Sequence, residues 1–497
     1  MDESASQTRT QVTLWLVTAT LMGGVIMGLE LLGFRLYAPY FGYSIYVWGS
    51  LIAVIMAALA LGYALGGWLA DRSRNDTPLY IAVLCSGAYQ LIIVYTADHF
   101  LQSLADHGVI AGTILASLVI FVPPMTALAG TSPFVIRLLA QAGRVGSSAG
   151  RVYALSTVGS IGGVLATSFF LIPKWGTHAT LQTLCVITVV VGIAGLASRR
   201  TFVLLGIVGL VLLLAAPAQE LRSFEIWRGE SVYNEVRVLH YRGYMWLTLN
   251  DLRNSHTTFK DNSVWSGSYQ DDFVLGPVLV HNPHLLILGM GAGGAIRMTR
   301  FANPNVHVDA VEIDPLVVDA AHRFFGLPKS ADWLSVHLDD ARPWLARDRA
   351  TYNLVHVDIY QGGPYVPFYL VTEEFFHSVL AHMPPEGLMM MNVYDVARDR
   401  ELLMSIVATL HRVFPTVLVY ASVPKSYMLF AFAEQRPLSG VRAALEHAQG
   451  DPGVVRLAQA AALGIGEIEP PPGTQPFTDD RAPIEPLTRR MLAQDIQ

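Results

Sequence analysis

LLILGMGAGG, residues 285–294, is the stretch from which the fold is read. Four apolar residues form a buried strand that runs straight into Gly289-Met290-Gly291-Ala292-Gly293-Gly294, and a helix opens behind them. Glycines at such a turn let the backbone approach a ligand closely, and the helix N-terminus adds a partial positive charge. Gly289, Gly291 and Gly294 satisfy GxGxxG, a pattern shared by nicotinamide and adenosyl-sulfonium enzymes. A tight strand-to-helix turn that binds nothing would look the same.

Acids on the following strands make that bland reading unlikely to suffice on its own terms. HVDAVEI (307–313) carries Glu312 at its end, where a carboxylate accepts hydrogen bonds from ribose hydroxyls. HLDDARPW places Asp340 after the strand at 334–338, within reach of a donor such as an adenine amino group. YNLVHVDIYQGGP places Asp358 at the end of the strand at 352–358. Open sheets bind ligands outside the carboxyl ends of their strands, so the three acids line one crevice.

Outward from this centre, strands at 387–393, 416–423 and 427–433 alternate with helices from Pro315, at 372–382 and at 397–413. That order predicts an α/β Rossmann-like sheet of methyltransferase type, mainly parallel, with helices on both faces. SVYNEVRVLHYRGYMWLTLND (231–251) reads as two strands around an Arg242-Gly243 turn. The expected division is a small β-hairpin subdomain and linker over 221–284 and a nucleoside-binding catalytic domain over 285–497, with a loop at EPPPG (469–473).

The first 220 residues are of another kind. Long apolar runs occupy 12–33, 46–70, 78–96, 108–129, 152–173, 177–197 and 201–216. A transmembrane helix needs about 20 such residues, so 1–220 is expected to be a multi-span α-helical membrane domain of seven or eight spans, its first run retained rather than cleaved. Small residues recur at 23–28, 58–67 and 159–163, as close helix packing in lipid requires. Glu30 and Arg35 on the first run mark either an interior pair or cavity, or a snorkelling arginine beside a bonded glutamate. Arginines at 72 and 74, at 137, 144 and 151, and at 199 and 200 fall in alternate loops. With seven spans the positive-inside rule would put the C-terminal half outside, whereas a cytosolic metabolite requires it inside; an eighth span within 108–143 would reconcile the two.

Composition agrees: 52% hydrophobic, 14% charged and a mean hydropathy of +0.41 exclude a disordered chain and an ordinary soluble enzyme. A net charge of −6 gives no support for nucleic-acid binding. Cys85 and Cys185 lie in apolar runs and offer neither a disulfide framework nor a zinc spacing. The 15 histidines are scattered without HExxH, so no metal is expected, and His356 reads as a core histidine.

At this level of detail the second half resembles the spermidine synthases, the polyamine aminopropyltransferases, from about Ser231 to Ala433. The resemblance is carried by SVYNEV, the SYQD of Ser268 to Asp271, the glycine loop, VEID (311–314), HLDDA, and VDIYQGGP followed by LVTEEFF (370–376). The first half, with ELLGFRLYAPYFG (30–42), and the tail TDDRAPIEPL (478–487) resemble the membrane-integrated bacterial form with transporter-like spans. The resemblance implies a sulfonium substrate, S-adenosylmethionine or its decarboxylated form, on Gln270, Gly289, Gly291, Ala292, Gly293, Glu312, Asp340 and Ala341. It implies Asp358 as catalytic base with Tyr269 beside the reacting chain, and Asn234, Asn254, Tyr360 and Gln361 toward a second substrate, with a polyamine as the candidate. It further implies a homodimer in the bacterial inner membrane with a cytoplasmic catalytic domain.

The departures bear on the substrate. Ala292 stands where the family carries an acid that holds the free amine of the decarboxylated sulfonium and repels a carboxylate. Two like charges about 4 Å apart cost about 1–4 kcal/mol in a wet site, so its loss relaxes that choice. Gln361, Asn392 and Tyr394 stand at acceptor positions the family fills with acids, with Asp395 close by, and Lys425 enters near the last strands. These changes argue against putrescine, while Tyr360, Tyr365 and Tyr369 remain for a cation. Four readings stay open: aminopropyl transfer to an amine, acceptor-free cleavage to homoserine lactone and methylthioadenosine, methyl transfer, and a non-catalytic nucleoside-sensing transporter.

Overall fold

The computed structural model describes residues 9–41, 44–104, 107–140, 145–197, 207, 211, 223–250, 255–360, 362–363, 365–421 and 423–495. They form two compact units, Met1–Glu220 and Leu221–Gln497.

The first unit is helical: α1 (Arg9–Phe41), α2 (Ile45–Arg72), α3 (Thr77–Leu104), α4 (Val109–Ile120), α5 (Val122–Ala129), α6 (Thr131–Ala140), α7 (Val145–Ala166) and α8 (Ile172–Gly195). Glycine is required where helices meet backbone to backbone. A Cβ on Gly159 or Gly163 of α7 would run into Thr20 or Gly24 of α1, and one on Gly66 of α2 into Gly130. Polar side chains bond to one another between helices. Gln90 Nε2 donates to Ser86 Oγ (3.2 Å) and Thr188 Oγ1 (3.3 Å), and Ser86 Oγ donates to the Pro124 carbonyl (3.2 Å). Trp48, Met56, Leu61, Tyr63 and Trp68 of α2 stay exposed, as on a helix that faces lipid. Glu30 and Arg35 are both half-buried on α1.

Among the described residues four helices are long and apolar enough to cross a membrane, or five if one bent pair counts as a span. The runs behind the expected seven or eight map onto these helices as follows. The runs 152–173 and 177–197 belong to one helical stretch, Val145–Gly195, interrupted at Gly176, whose φ of 79° no other residue type adopts readily. The run 108–129 is bent by 49° after Ile120, where Pro123 and Pro124 start the next helix, and yields no extra span. Nearly all of 201–216 lies outside the described residues.

The second unit opens with a four-stranded antiparallel sheet, β1 (Glu225–Glu230), β2 (Glu235–Tyr241), β3 (Tyr244–Leu249) and β4 (Ser255–Lys260), in the order β1-β2-β3-β4. The expected hairpin is its centre. Arg242 (φ 52°) and Gly243 (φ 80°) both turn left-handed, as a two-residue hairpin loop matched to strand twist demands. The outer strands EIWRGE and SHTTFK are polar and short, which hides them from a hydrophobic pattern.

Behind it stands a seven-stranded sheet in the order β10-β11-β9-β8-β5-β6-β7. Its strands are β5 (His284–Leu288), β6 (His307–Glu312), β7 (Leu334–Leu338), β8 (Leu354–Val357), β9 (Leu388–Tyr394), β10 (Thr416–Ala421) and β11 (Ser426–Phe432). The five from β5 to β9 run parallel, and β11 and β10 add antiparallel. Alternation decides the faces. Leu285, Ile287, Val308, Ala310 and Met390 belong to one core cluster, and Leu286, Leu288, Val311, Val355 and Met391 to another. The chain order reverses between β5 and β8, so a crevice opens there at the strand ends. Helices α9 (Gly294–Ala302), α10 (Pro315–Phe324) and α11 (Ala341–Arg347) follow β5, β6 and β7, while α12 (Glu373–Leu380) and α13 (Glu401–Val413) flank β9. Helices at Leu438–Glu446, Pro452–Gly464 and Ile484–Asp495 were not legible beforehand.

Candidate active site

The crevice at the reversal encloses about 830 Å³ including its open mouth. Its walls bring together Asn234, Tyr269, Gly289, Gly291, Glu312, Asp340, Ala341, Asp358 and Tyr360 from the expected set, and add Tyr233, His256, Asp339 and Tyr369. Asn254 and Gln361 lie outside the described residues.

Three expected nucleoside contacts stand behind the wall. Gln270 is 3% exposed and spends its amide on protein. Its Nε2 donates to the His256 carbonyl (3.1 Å) and its Oε1 accepts from Thr258 N (3.1 Å), and it leaves Gly294 no space for a side chain. Ala292 is 1% exposed, its N–H donated to Thr257 Oγ1 (2.9 Å). With Gly293 it borders a neighbouring groove that includes Phe259 and Trp333. These residues shape the loop rather than face the crevice.

The loop owes its path to left-handed residues, Gly289 (φ 84°), Gly291 (φ 52°) and Gly293 (φ 86°). A Cβ at Gly289 would collide with the Asp358 carbonyl, so this glycine lets the loop touch the end of β8. Glu312 accepts from the amides of Met290 (3.2 Å), Gly291 (3.1 Å) and Asp314 (3.1 Å). Burial nevertheless drives its pKa up to about 7, with those amides pulling it back down. Asp340 accepts from Arg342 N (3.0 Å) as the cap of α11 and from the Tyr369 hydroxyl (2.9 Å).

Asp358 has one protein partner of consequence. The Tyr269 hydroxyl donates to both of its carboxylate oxygens, at 3.1 and 3.0 Å. Desolvation raises Asp358 to about 7 against the lowering effect of that phenol, and Tyr269 in turn is pushed well above its ordinary value by burial and by Asp358. A carboxylate held near neutrality can accept a proton at physiological pH and release it again. Tyr360 is fixed from behind: its hydroxyl donates to the Asn392 carbonyl (3.1 Å) and accepts from Tyr394 N (2.9 Å).

The small sheet closes one side. Asn234 Nδ2 donates to Asp314 (3.0 Å), Asn250 Nδ2 donates to Asn234 Oδ1 (2.7 Å), and Ser231 Oγ donates to Asp314 (2.7 Å). Asp395, the acid nearest the empty acceptor positions, is consumed by the amides of Ala397 (2.9 Å) and Leu403 (3.0 Å) at the start of α13. His356 is fully buried against Phe273 (ring centroids 4.4 Å), in the core as expected. No group of three or more potential metal ligands occurs among the described residues.

With this geometry in hand, residues 268–436 match the spermine/spermidine synthase domain family. The chain is 29% identical over 303 residues to a probable polyamine aminopropyl transferase of Bifidobacterium longum, covering 56% of this chain and 66% of that one. It is 29% identical over 178 residues to the human eEF1A lysine and N-terminal methyltransferase, covering 32% and 25%. A crystal structure of a probable spermidine synthase from Corynebacterium glutamicum aligns with a TM-score of 0.40 and 17% identity, covering 54% of this chain and 99% of that one. The chain spans less than two thirds of the curated relatives it matches, and the domain match together with the polyamine aminopropyltransferase relatives supports a likeness of its second unit to the spermidine synthases.

Proposed function

We propose that the second unit is an aminopropyltransferase-like enzyme that breaks the carbon–sulfur bond of a sulfonium nucleoside, S-adenosylmethionine or its decarboxylated form, and releases methylthioadenosine. The observation that carries this is Asp358, poised near neutrality with the Tyr269 hydroxyl on both of its oxygens and the glycine loop against its carbonyl. Glu312 takes the ribose hydroxyls and Asp340 the base. An amine lone pair attacks the carbon next to sulfur, the C–S bond breaks, its electron pair returns the sulfonium to a neutral thioether, and Asp358 takes the proton that the new ammonium loses. The positive sulfur is itself the driving force, so the protein's contribution is orientation and charge placement.

Two other reactions have specific support. Asn392 and Tyr394 at acceptor positions and the consumed Asp395 leave the acceptor side poor in free acids, which favours acceptor-free cleavage of S-adenosylmethionine to homoserine lactone. The methyltransferase relative favours methyl transfer on the same sheet. Helices long and apolar enough to cross a membrane support a bilayer setting, with a bacterial inner membrane, a cytoplasmic crevice and a homodimer proposed. Incubating the full-length protein with each sulfonium, with and without putrescine, and weighing the products separates these routes. Methylthioadenosine formed only with an acceptor is the expected result. The same product without an acceptor indicates cleavage, adenosylhomocysteine indicates methyl transfer, and binding without turnover indicates a sensor.

A further inference from the structure

The geometry points to His256 as a specificity-determining residue whose neutral Nε2 accepts a hydrogen bond from the primary ammonium at the end of the sulfonium's side chain. This deepens the reading above and rests on it.

His256 lines the same crevice as Tyr269, Gly291 and Asp358. Its Nε2 is buried and has no hydrogen-bond partner among the described residues. A buried polar nitrogen left unpaired costs about 1–3 kcal/mol, so one carried by a residue that lines a ligand cavity calls for an explanation. The residue is not loose. Gln270 Nε2 and Thr257 Oγ1 both donate to its carbonyl, at 3.1 and 2.8 Å, and Thr257 Oγ1 accepts from Ala292 N (2.9 Å). The imidazole is thereby carried on a backbone stitched to the glycine loop.

The acids of the wall each hold a protein partner. Glu312 accepts three amides, Asp340 caps α11 and holds Tyr369, Asp358 holds Tyr269, and Asp339 pairs with Arg347. Four acids and no lysine or arginine are found among the described lining residues, so the crevice attracts a cation and repels an added carboxylate. Burial also keeps His256 uncharged, its pKa lowered to about 4, so it does not itself repel an ammonium. The imidazole thus supplies an acceptor beside the loop where Ala292 supplies none. Its neutrality makes it weaker than a carboxylate and more tolerant of what else the side chain carries.

The test compares two probes on the full-length protein in detergent: decarboxylated S-adenosylmethionine, which carries the ammonium, and methylthioadenosine, which lacks the whole chain. His256→Leu is expected to weaken the sulfonium about tenfold, the scale of one hydrogen bond to a charged group, and to leave methylthioadenosine within about twofold. His256→Gln, which keeps an acceptor, should recover most of the loss. Equal loss of both probes in His256→Leu, or loss of neither, overturns the inference while leaving the nucleoside site intact. A wild-type protein that binds neither probe overturns the proposed function and this inference together.

Discussion

Asp309 and Asp358 sit toward opposite ends of one sheet and have opposite fates. Asp309, near the amino end of β6, is clasped by two imidazoles, His284 Nε2 at 3.0 Å and His337 Nε2 at 2.9 Å. Burial would raise its pKa, but the two histidines outweigh that and hold it below the ordinary carboxylate value. Asp358, just past the carboxyl end of β8, has a phenol instead of cations and rises to about 7. A carboxylate whose partners are complete stabilises the fold; one left incomplete can exchange protons with a substrate.

The largest effect should separate the two by substitution. Asp358→Asn is expected to lower turnover by about 10²–10⁴-fold, the range of a lost general base, with the melting temperature preserved. Asp309→Asn should lower stability by about 1–2 kcal/mol and leave turnover within about threefold. Product mass detection and thermal unfolding of both variants check the pair. An active Asp358→Asn protein would remove that residue from its role.

Acidity gives the next distinction. Asp358 must be ionised to act, so kcat/KM should rise with pH through a limb near 7. The Tyr269 hydroxyl lowers Asp358, so Tyr269→Phe should move that limb to higher pH. The Asp309 cluster behaves differently. Asp309 is depressed when folded, so its contribution is present above the unfolded value and is lost as pH falls through the folded one. His284 is raised, chiefly by its hydrogen bond to Asp309, so its contribution is full below the unfolded histidine value and fades as pH rises through the folded one. That cluster should therefore support the fold best between the two unfolded values, and Asp309→Asn should flatten the stability profile there.

Glu312 lies between these extremes, half-satisfied by three amides yet raised to about 7. Glu312→Gln should weaken methylthioadenosine about tenfold and change turnover at saturation little, a split that titration calorimetry and kinetics resolve.

Much of this site was legible in the sequence because strand ends follow from short apolar runs. The strands at 285–288 and 334–338 carried Gly289 and Asp340 to their places with them. What escaped is equally physical. His256 sits on SHTTFK, whose only apolar residue is Phe259, so neither hydrophobic alternation nor a motif marks that strand. Gln270 matched the family's pattern and Ala292 fell at a family ligand position, but side-chain direction depends on packing against β4, which one-dimensional spacing does not encode. In the helical unit, hydropathy registers apolar runs and not the breaks at Gly176 and Pro123, so runs and helices do not correspond one to one.

The smallest expected effect tests whether an incomplete hydrogen-bond inventory is by itself a sign of function. His356 lies on β8, two residues before Asp358, fully buried, with neither ring nitrogen partnered. Burial lowers its pKa to about 3, so it folds uncharged and stability should fall as pH drops below the unfolded histidine value. Unlike His256 it does not line the crevice; its ring faces Phe273 in the core. Replacing an unpaired buried polar ring with an apolar group of similar size is neutral or stabilising. His356→Leu should accordingly keep full turnover, hold or raise the melting temperature by a few degrees, and remove the acid-side loss of stability. If turnover collapsed while the fold held, the distinction between a core orphan and a crevice orphan would fail, because it rests on His256 lining the crevice and His356 lying in the core.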